Sequence, residues 1–393
     1  MHHLHARLLV CHIRRARLQA HAVAIAEAVK LLDDLGAEAL PGGPLGDQRG
    51  LFWLTVPAME VDAAVSRLPR LGYTVAVDLL EPSATNGRIH TRQRRDDRRR
   101  LRWRGRDYNI LRAYEEDAGE ARERAPDRRT FVLDTAAGAR AVRGYRGDGG
   151  DLSRRGLPVC DARLLVNLAG GARAKTLLDP FAGAGGAALE AIACARYVFT
   201  CDRDAALRFG LRALGARHYV ADACCLPFRA ASIEAIATEP PYDASARDVV
   251  LQAFGEMARV LTVGGRVALL TTPDQAAGLR PLAASLGLAV EVDSAINRKG
   301  MDCVALVCSK PVPGYTQGGN IGAEEQSMEL KELVEILACP IDKQPVRMEE
   351  NWIICSYCDA HYPIQDGIPC MLIEEAKYPN GKKNADQPAP TAS

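Results

Sequence analysis

Between residues 176 and 309, short apolar runs typical of buried strands alternate with segments of helical periodicity. The strand candidates are TLLD (176–179), YVFTCD (197–202), HYVADA (218–223), IEAIATE (233–239), GGRVALLTT (264–272), AVEVDSAIN (289–297) and DCVALVCSK (302–310). Strands separated by helices pair in parallel through right-handed crossovers, whereas the last two, joined by RKGM, are close enough to pair antiparallel. The pattern predicts an α/β fold with a doubly wound, Rossmann-like sheet of seven strands that ends in a hairpin.

Acidic residues follow the ends of four of these strands in turn. Asp179, Asp202 and Glu239 close the first, second and fourth strands, and Asp222 follows the third. In open α/β sheets, ligands bind beyond the carboxyl ends of the strands. The sequence therefore predicts a ligand site lined by carboxylates at this edge of the sheet.

A glycine-rich turn, DPFAGAGG (179–186), follows the first strand. Gly183 and Gly185 allow the backbone to approach a ligand closely, and Asp202 lies about 20 residues further on, where an acid accepts the ribose hydroxyls of a nucleotide. An NAD site is the first alternative, but the turn lacks the G-x-G-x-x-G spacing of such sites. A carboxylate before the glycines suits a cationic ligand, such as the ammonium group of S-adenosylmethionine, better than a pyrophosphate.

Residues 175–310 resemble the class I S-adenosylmethionine-dependent methyltransferases, through DPFAG, the acids at the strand ends and the LTVGGRVALL segment. The resemblance assigns roles to individual residues. Asp179, Ala182, Gly183 and Gly185 would line the methionine end of the cofactor. Asp202 would bind the ribose, and Asp222 with Ala223 would bind the adenine.

The fourth strand runs into the sequence EPPY, formed by Glu239, Pro240, Pro241 and Tyr242. Two prolines cannot donate to a sheet ladder and fix a rigid loop. EPPY resembles the [D/N/S]PP[Y/F/W] motif of enzymes that methylate exocyclic amino groups. There the acid and a proline carbonyl accept the two N–H bonds of the amine, and the aromatic ring stacks on the flipped base. Glu239 departs from that motif because it is one methylene longer than the usual Asp or Asn.

The segment DLSRRGLPVCDARLLVNLAGG (151–171) resembles the approach to the catalytic domain in tRNA methyltransferases that modify the 2-amino group of guanosine 10. By this resemblance, residues 1–150 correspond to an α+β, ferredoxin-like and THUMP-like RNA-binding region. That region contains an arginine run, RIHTRQRRDDRRRLRWRGR (88–106). We expect Arg98, Arg99, Arg100, Arg102 and Arg104 to contact phosphates of tRNA or another structured RNA. A solvated loop is the alternative.

The C-terminal part forms a separate unit after a Pro/Gly-rich linker at 311–327. It places Cys339, Asp342, Cys355 and Cys358 at the spacing of a ribbon whose ligands would hold zinc; a metal-free ribbon is the alternative. LACP and DGIPCML resemble the small activator subunit of tRNA, ribosomal RNA and release-factor methyltransferases, over residues 328–376. Such a subunit covers an apolar surface of its partner, often by adding a strand to a sheet edge, and here the contact would be intramolecular.

Composition fits this organisation. A chain of 393 residues is longer than a single hydrophobic core usually supports. We expect units at 1–150, 151–310 and 328–376, followed by a disordered tail at 377–393. No apolar run approaches the roughly 20 residues of a membrane span, so no membrane partner is expected. Twelve mostly scattered cysteines indicate a reducing cytoplasm. Two other functions stay open: a DNA or rRNA amino-methyltransferase, and a non-catalytic RNA-binding scaffold with a methyltransferase fold.

Overall fold

The computed structural model describes residues 6–42, 50–82, 99–103, 106–116, 130–135, 138–143, 157–195, 197–298, 300–312 and 335–379. Most of the predicted linker and tail lies outside these residues. The chain divides into two compact units, one comprising 1–125 with 294–302 and the other 126–293 with 303–393.

The first unit is built on an antiparallel sheet in the order β2-β3-β1-β4-β6-β5. Its strands are β1 (Ala6–Ile13), β2 (Glu38–Ala39), β3 (Leu51–Pro57), β4 (Thr74–Pro82), β5 (Arg99–Trp103) and β6 (Arg106–Glu115). Helices α1 (His21–Leu31) and α2 (Val61–Arg67) follow β1 and β3. β3 and β4 flank β1, so the β3-α2-β4 connection passes over it. The unit is α+β, as the sequence predicts.

The second unit contains the predicted seven-stranded sheet, in the order β11-β10-β9-β12-β13-β15-β14. The strands are β9 (Thr176–Asp179), β10 (Tyr197–Asp202), β11 (Arg217–Val220), β12 (Ile233–Thr238), β13 (Leu261–Thr271), β14 (Ala289–Arg298) and β15 (Met301–Ser309). A further hairpin, β7 (Thr130–Thr135) and β8 (Gly138–Arg143), precedes them. β9 to β13 pair in parallel and β15 pairs antiparallel to β13. Strand order and directions are those of the methyltransferase fold, which confirms the predicted fold class.

Five helices accompany this sheet in the described part of the chain. They are α3 (Val159–Leu168), α4 (Gly186–Ile192), α5 (Arg208–Ala213), α6 (Arg247–Val260) and α7 (Pro273–Ser285). α6 turns Val250, Ala253, Phe254 and Met257 inward, at helical spacing, and all four are fully buried. Burial of this apolar stripe fixes α6 on the sheet, and α6 connects β12 to β13.

The same unit ends in a small four-stranded sheet, which we call the C-terminal module (residues 335–379). Its strands are β16 (Val346–Glu349), β17 (Trp352–Cys355), β18 (His361–Gln365) and β19 (Ile368–Pro369), paired in that order. Tyr362 and Met371 of the module belong to one buried cluster with Phe228 and Met257 of the large sheet domain. The two parts therefore share a hydrophobic core.

Candidate active site

The acids predicted to bind a ligand meet at one edge of the large sheet. β9 ends at Asp179, β10 at Asp202, and β12 ends one residue before Glu239. β9 lies between β10 and β12 in the sheet. Because these strands are parallel, their carboxyl ends share an edge, and the structure brings the three acids together there.

Asp179 lies deepest of these acids, with only 2% of its surface exposed. One carboxylate oxygen accepts the Thr238 hydroxyl at 2.7 Å and the Phe181 amide at 3.3 Å. Burial raises the pKa of Asp179 to about 7, and the nearby Asp202 and Glu239 charges add to the rise, although the two hydrogen bonds oppose it. The pocket therefore favours a positive ligand group, because a cation beside Asp179 would offset the cost of its buried charge.

The glycine-rich turn is folded onto Asp202. Gly183, at φ +48°, donates its amide to Oδ2 of Asp202 at 2.8 Å, and Asp204 donates its amide to Oδ1 at 2.9 Å. Gly185 has φ +78°, and a Cβ there would lie 2.5 Å from Leu214 Cδ1, so a larger residue would adopt a strained backbone and would require Leu214 to shift. The turn brings backbone, Ala182 and the Asp202 carboxylate to the same side of the pocket.

Asp222 begins the short turn that contains Ala223, and its Oδ1 accepts the Cys224 amide at 2.8 Å. Its second oxygen lies 3.4 Å from the guanidinium of Arg203, which also donates to Glu374 of the C-terminal module at 3.1 Å. Sequence reasoning missed Arg203. The one available signal was its place directly after Asp202.

The EPPY loop follows β12 at the same edge of the sheet. Pro240 is buried, whereas Glu239 and Tyr242 are half-buried. The Tyr242 hydroxyl donates to Glu239 Oε1 at 2.5 Å, and the Pro241 carbonyl accepts the side-chain amide of Gln275 at 2.7 Å. The contact of Gln275 with the loop is not predicted by the sequence analysis. Gln275 thus holds the loop from outside, and within the loop the tyrosine hydroxyl is bonded to the acid.

The arginines predicted to contact RNA are only partly described. Arg98 and Arg104 lie outside the described residues. Arg99, Arg100 and Arg102 lie on β5, which pairs with β6. The side chain of Arg102 is 76% exposed, and its Nε lies 3.9 Å from an oxygen of Asp107. The RNA contact stays a prediction.

The four candidate metal ligands come together in the C-terminal module. One ligand atom from each of Cys339, Asp342, Cys355 and Cys358 lies within 4.8 Å of the others. The sulfur atoms of Cys339 and Cys358 are 3.7 Å apart. Tetrahedral coordination with Zn–S distances of about 2.3 Å places two thiolates about 3.8 Å apart. The donor set and its spacing fit a zinc ion.

The C-terminal module extends the large sheet at its β11 edge. Val220 of β11 and Cys370 form a parallel bridge, with the Met371 amide donating to the Val220 carbonyl at 2.7 Å. A second bridge joins Phe228 and Leu337. The first contact uses the backbone of the edge strand β11, which it covers in the way that the sequence resemblance implies. The second joins the module to the connection between β11 and β12.

Charged side chains surround these bridges. Arg208 of α5 is 15% exposed and reaches Asp366 Oδ2 at 3.3 Å, and Arg212 donates to the Asp366 carbonyl. Lys343 of the module binds Glu256 of α6 at 2.9 Å. Burial alone would raise the pKa of Glu256, but the hydrogen bonds from Arg259 and Lys343 outweigh it and leave that pKa below its usual range. The module is therefore attached through backbone, apolar and ionic contacts together.

None of the helices in the described part of the chain has the length and apolarity that a membrane crossing requires. Among solved structures, TrmN from Thermus thermophilus is similar, at 19% identity, over 77% of this chain and 99% of that chain, with a TM-score of 0.39. The strand order described above, rather than this likeness, identifies the methyltransferase fold.

Residues 331–367 match the family model described as Trm112p-like protein. A UPF0434 protein of Methylobacillus flagellatus is 53% identical over 47 residues, which cover 12% of this chain and 78% of the relative. A UPF0434 protein of Burkholderia vietnamiensis is 40% identical over 63 residues, covering 16% of this chain and 94% of the relative. Over its C-terminal module, the chain therefore belongs to the Trm112p-like family that includes these UPF0434 relatives.

Proposed function

We propose that this protein transfers a methyl group from S-adenosylmethionine to an exocyclic amino group in RNA, and that its substrate is the guanosine 2-amino group in tRNA. The C-terminal module acts as an activator fused to the enzyme. Glu239, Pro240, Pro241 and Tyr242 form the acceptor side, and the strand-end acids with the glycine turn form the cofactor side.

The observation that carries the proposal is the direct contact between these two sides. Thr238, the residue before Glu239, donates its hydroxyl to the Asp179 carboxylate at 2.7 Å. The acceptor loop and the acid proposed to bind the cofactor's ammonium group are therefore fixed to each other. Alignment of donor and acceptor supplies much of the rate of such a transfer.

The reaction needs orientation of the amine. The lone pair of an exocyclic amine is delocalised into the base, which makes the nitrogen a weak nucleophile. Glu239 and a proline carbonyl accept its two N–H bonds and direct the lone pair toward the sulfonium methyl. Tyr242 stacks on the base. When bound, S-adenosylmethionine would supply the methyl group and leave as S-adenosylhomocysteine, and the methylated nitrogen would release its extra proton to water.

The choice of tRNA guanosine rests on the segment before the catalytic domain. Its described part lies against the helix that the glycine turn opens, because a Cβ on Gly186 would lie 2.9 Å from Leu157 Cβ and Arg163 donates to Glu190 at 3.0 Å. The resemblance of this segment to the guanosine 2-amino enzymes thus concerns a stretch next to the cofactor turn. The arginine run supplies the proposed phosphate contacts.

The proposal also gives the module a structural zinc ion, held by Cys339, Asp342, Cys355 and Cys358. A bound ion would neutralise the negative ligands and stiffen the loops that carry them. The backbone bridges at Val220 and Phe228 then act as the activating contact: the first protects the β11 edge of the catalytic sheet, and the second fixes the connection between β11 and β12.

The test is mass spectrometry of nucleosides from pooled tRNA transcripts treated with the protein and labelled S-adenosylmethionine. We expect labelled N2-methylguanosine. Glu239→Ala should lose the product while it keeps cofactor binding, and Val263→Ala, at an exposed residue, serves as the matched control. Label on adenine or in DNA would redirect the substrate assignment. The absence of label in any nucleic acid, with cofactor binding intact, would support the scaffold alternative.

The RNA contact is tested separately. Changing Arg98, Arg99 and Arg100 together to Glu should weaken tRNA binding and flatten its dependence on salt, since each lost phosphate contact removes about one unit from the slope. Filter binding at several salt concentrations measures both effects. Unchanged affinity would favour the solvated-loop alternative for this run.

A further inference from the structure

We propose that Gln275 is a positioning residue for the proposed methyl transfer, because its side-chain amide holds the Pro241 carbonyl and so fixes the EPPY loop. The role of Gln275 in catalysis rests on the proposed function, but the attachment of the loop can be measured in an experiment that does not depend on enzyme activity.

Gln275 is almost fully buried, with 1% exposed, in the first turn of α7. Its Nε2 donates to the Pro241 carbonyl at 2.7 Å, and its Oε1 accepts the Thr271 hydroxyl at 2.5 Å and the Thr272 amide at 3.3 Å. The Pro241 carbonyl can only accept a hydrogen bond, and the Thr272 backbone amide can only donate one. Both partners therefore require the orientation in which Nε2 of Gln275 points to Pro241 and Oε1 points to Thr272. The side chain joins the end of β13 to the loop after β12.

A helix cap alone does not explain a glutamine here. Thr272 and Gln275 form a capping box at the start of α7. Glu serves as well as Gln in such a box, and a carboxylate is favoured at a helix N-terminus. The helix would therefore accept Glu at residue 275. Only the contact with Pro241 needs the N–H donor that distinguishes glutamine from glutamate.

The contact also bears on which carbonyl serves the substrate. Because the Pro241 carbonyl accepts from Gln275, we assign the second N–H of the amine to the carbonyl of Pro240, next to Glu239. Pro240 is buried, whereas Pro241 is exposed. A loop released from Gln275 would lose that alignment.

Gln275→Glu is the discriminating variant. It keeps the cap but places a carboxylate oxygen against the Pro241 carbonyl oxygen, which repels it. With pooled tRNA transcripts and saturating S-adenosylmethionine, we expect kcat near pH 8 to fall about 100-fold. This is the loss of rate that a displacement of the reacting groups by about 1 Å can cause. The cofactor Kd should stay that of the wild type. The melting temperature should fall near pH 8, because a carboxylate at this buried residue destabilises the folded state, and should recover toward pH 5. Toward pH 5 a protonated Glu regains a donor, so the ratio of variant to wild-type kcat should rise.

Thr272→Ala is the matched control. It breaks the other half of the capping box, in which the Thr272 hydroxyl accepts a hydrogen bond from the backbone amide of Gln275 at 3.2 Å. It should lower the melting temperature and keep kcat. A Gln275→Glu protein with wild-type kcat would overturn the proposal, and so would a Thr272→Ala protein that loses kcat together with its melting temperature.

Hydrogen exchange gives a readout independent of activity. Gln275→Glu should speed exchange over residues 242–246 near pH 8 and leave α7 protected. If the wild type methylates no nucleic acid, the proposed function fails. Faster exchange would then still support the attachment of the loop, whereas unchanged exchange would refute it.

Discussion

Replacing Asp179 with asparagine should stabilise the ligand-free protein and abolish its binding of S-adenosylmethionine. Burial raises the pKa of Asp179 from 3.8 to about 7. At 1.36 kcal/mol per pKa unit, the buried charge costs the folded state roughly 4 kcal/mol above that pH, as an upper limit. The folded state binds this proton more tightly than the unfolded chain. The cost is therefore absent below about pH 4, grows as the pH rises, and is complete above about pH 7.

Asparagine avoids this cost and keeps the local structure. Its Oδ1 still accepts from Thr238 and Phe181, the two partners of the carboxylate. We expect the variant to be more stable than the wild type by up to about 4 kcal/mol at pH 8 and nearly equal to it at pH 4. At about 2–4 °C per kcal/mol for a domain of this size, the melting temperature at pH 8 should rise by roughly 10 °C.

The assay is thermal unfolding, followed by circular dichroism, of ligand-free proteins from pH 4 to 8, with calorimetric titration of S-adenosylmethionine. Asp248→Asn is the control, because that side chain is 96% exposed and its change removes one charge without removing a buried one. The reasoning would be refuted by an Asp179→Asn protein that melts no higher than the wild type at pH 8, or by one that keeps cofactor affinity.

Three further changes test other parts of the molecule. Tyr242→Ala should raise the KM for tRNA about 10- to 100-fold through lost stacking, whereas Tyr242→Phe should keep a KM near that of the wild type. Steady-state kinetics measure both values. An equal rise in KM for the two variants would mean that the hydroxyl, and not the ring, is responsible. Phe228→Ala removes a fully buried ring whose centroid lies 5.7 Å from that of Phe199 and 5.5 Å from that of Tyr219. Urea unfolding should show a free energy of unfolding lower by about 3–5 kcal/mol. A decrease of less than about 1 kcal/mol would argue against the shared core. Asp342→Ala should weaken zinc binding and Asp342→Cys should strengthen it, measured by competition with a chromophoric chelator; identical affinities would remove Asp342 from the ligand set.

The large sheet could be predicted because its signals are local. Seven apolar runs bounded by glycines, acids and helical segments specify the strands, and alternation with helices specifies parallel pairing. Asp179, Asp202 and Glu239 could be placed at one edge because the ends of parallel strands must meet there. The six-stranded order of the first unit carries no such signal, since its strands and helices do not alternate regularly.

The residues that were missed act over long sequence separations. Gln275 contacts Pro241, 34 residues away, and Arg203 contacts Glu374, 171 residues away. Nothing in either local sequence points to its partner, because only the packed fold brings them together. For Gln275 the local pattern indicates a capping box, which is correct but incomplete.

The bridge between Val220 and Cys370 has a consequence for synthesis of the chain. A ribosome adding about 5–20 residues per second completes β11 roughly 8–30 s before it makes the segment that covers it. During that interval the β11 edge of the nascent sheet is open to pairing with other chains. Translation that stops before the module is complete would leave this edge bare permanently, so full-length synthesis and resistance to aggregation are coupled in this protein.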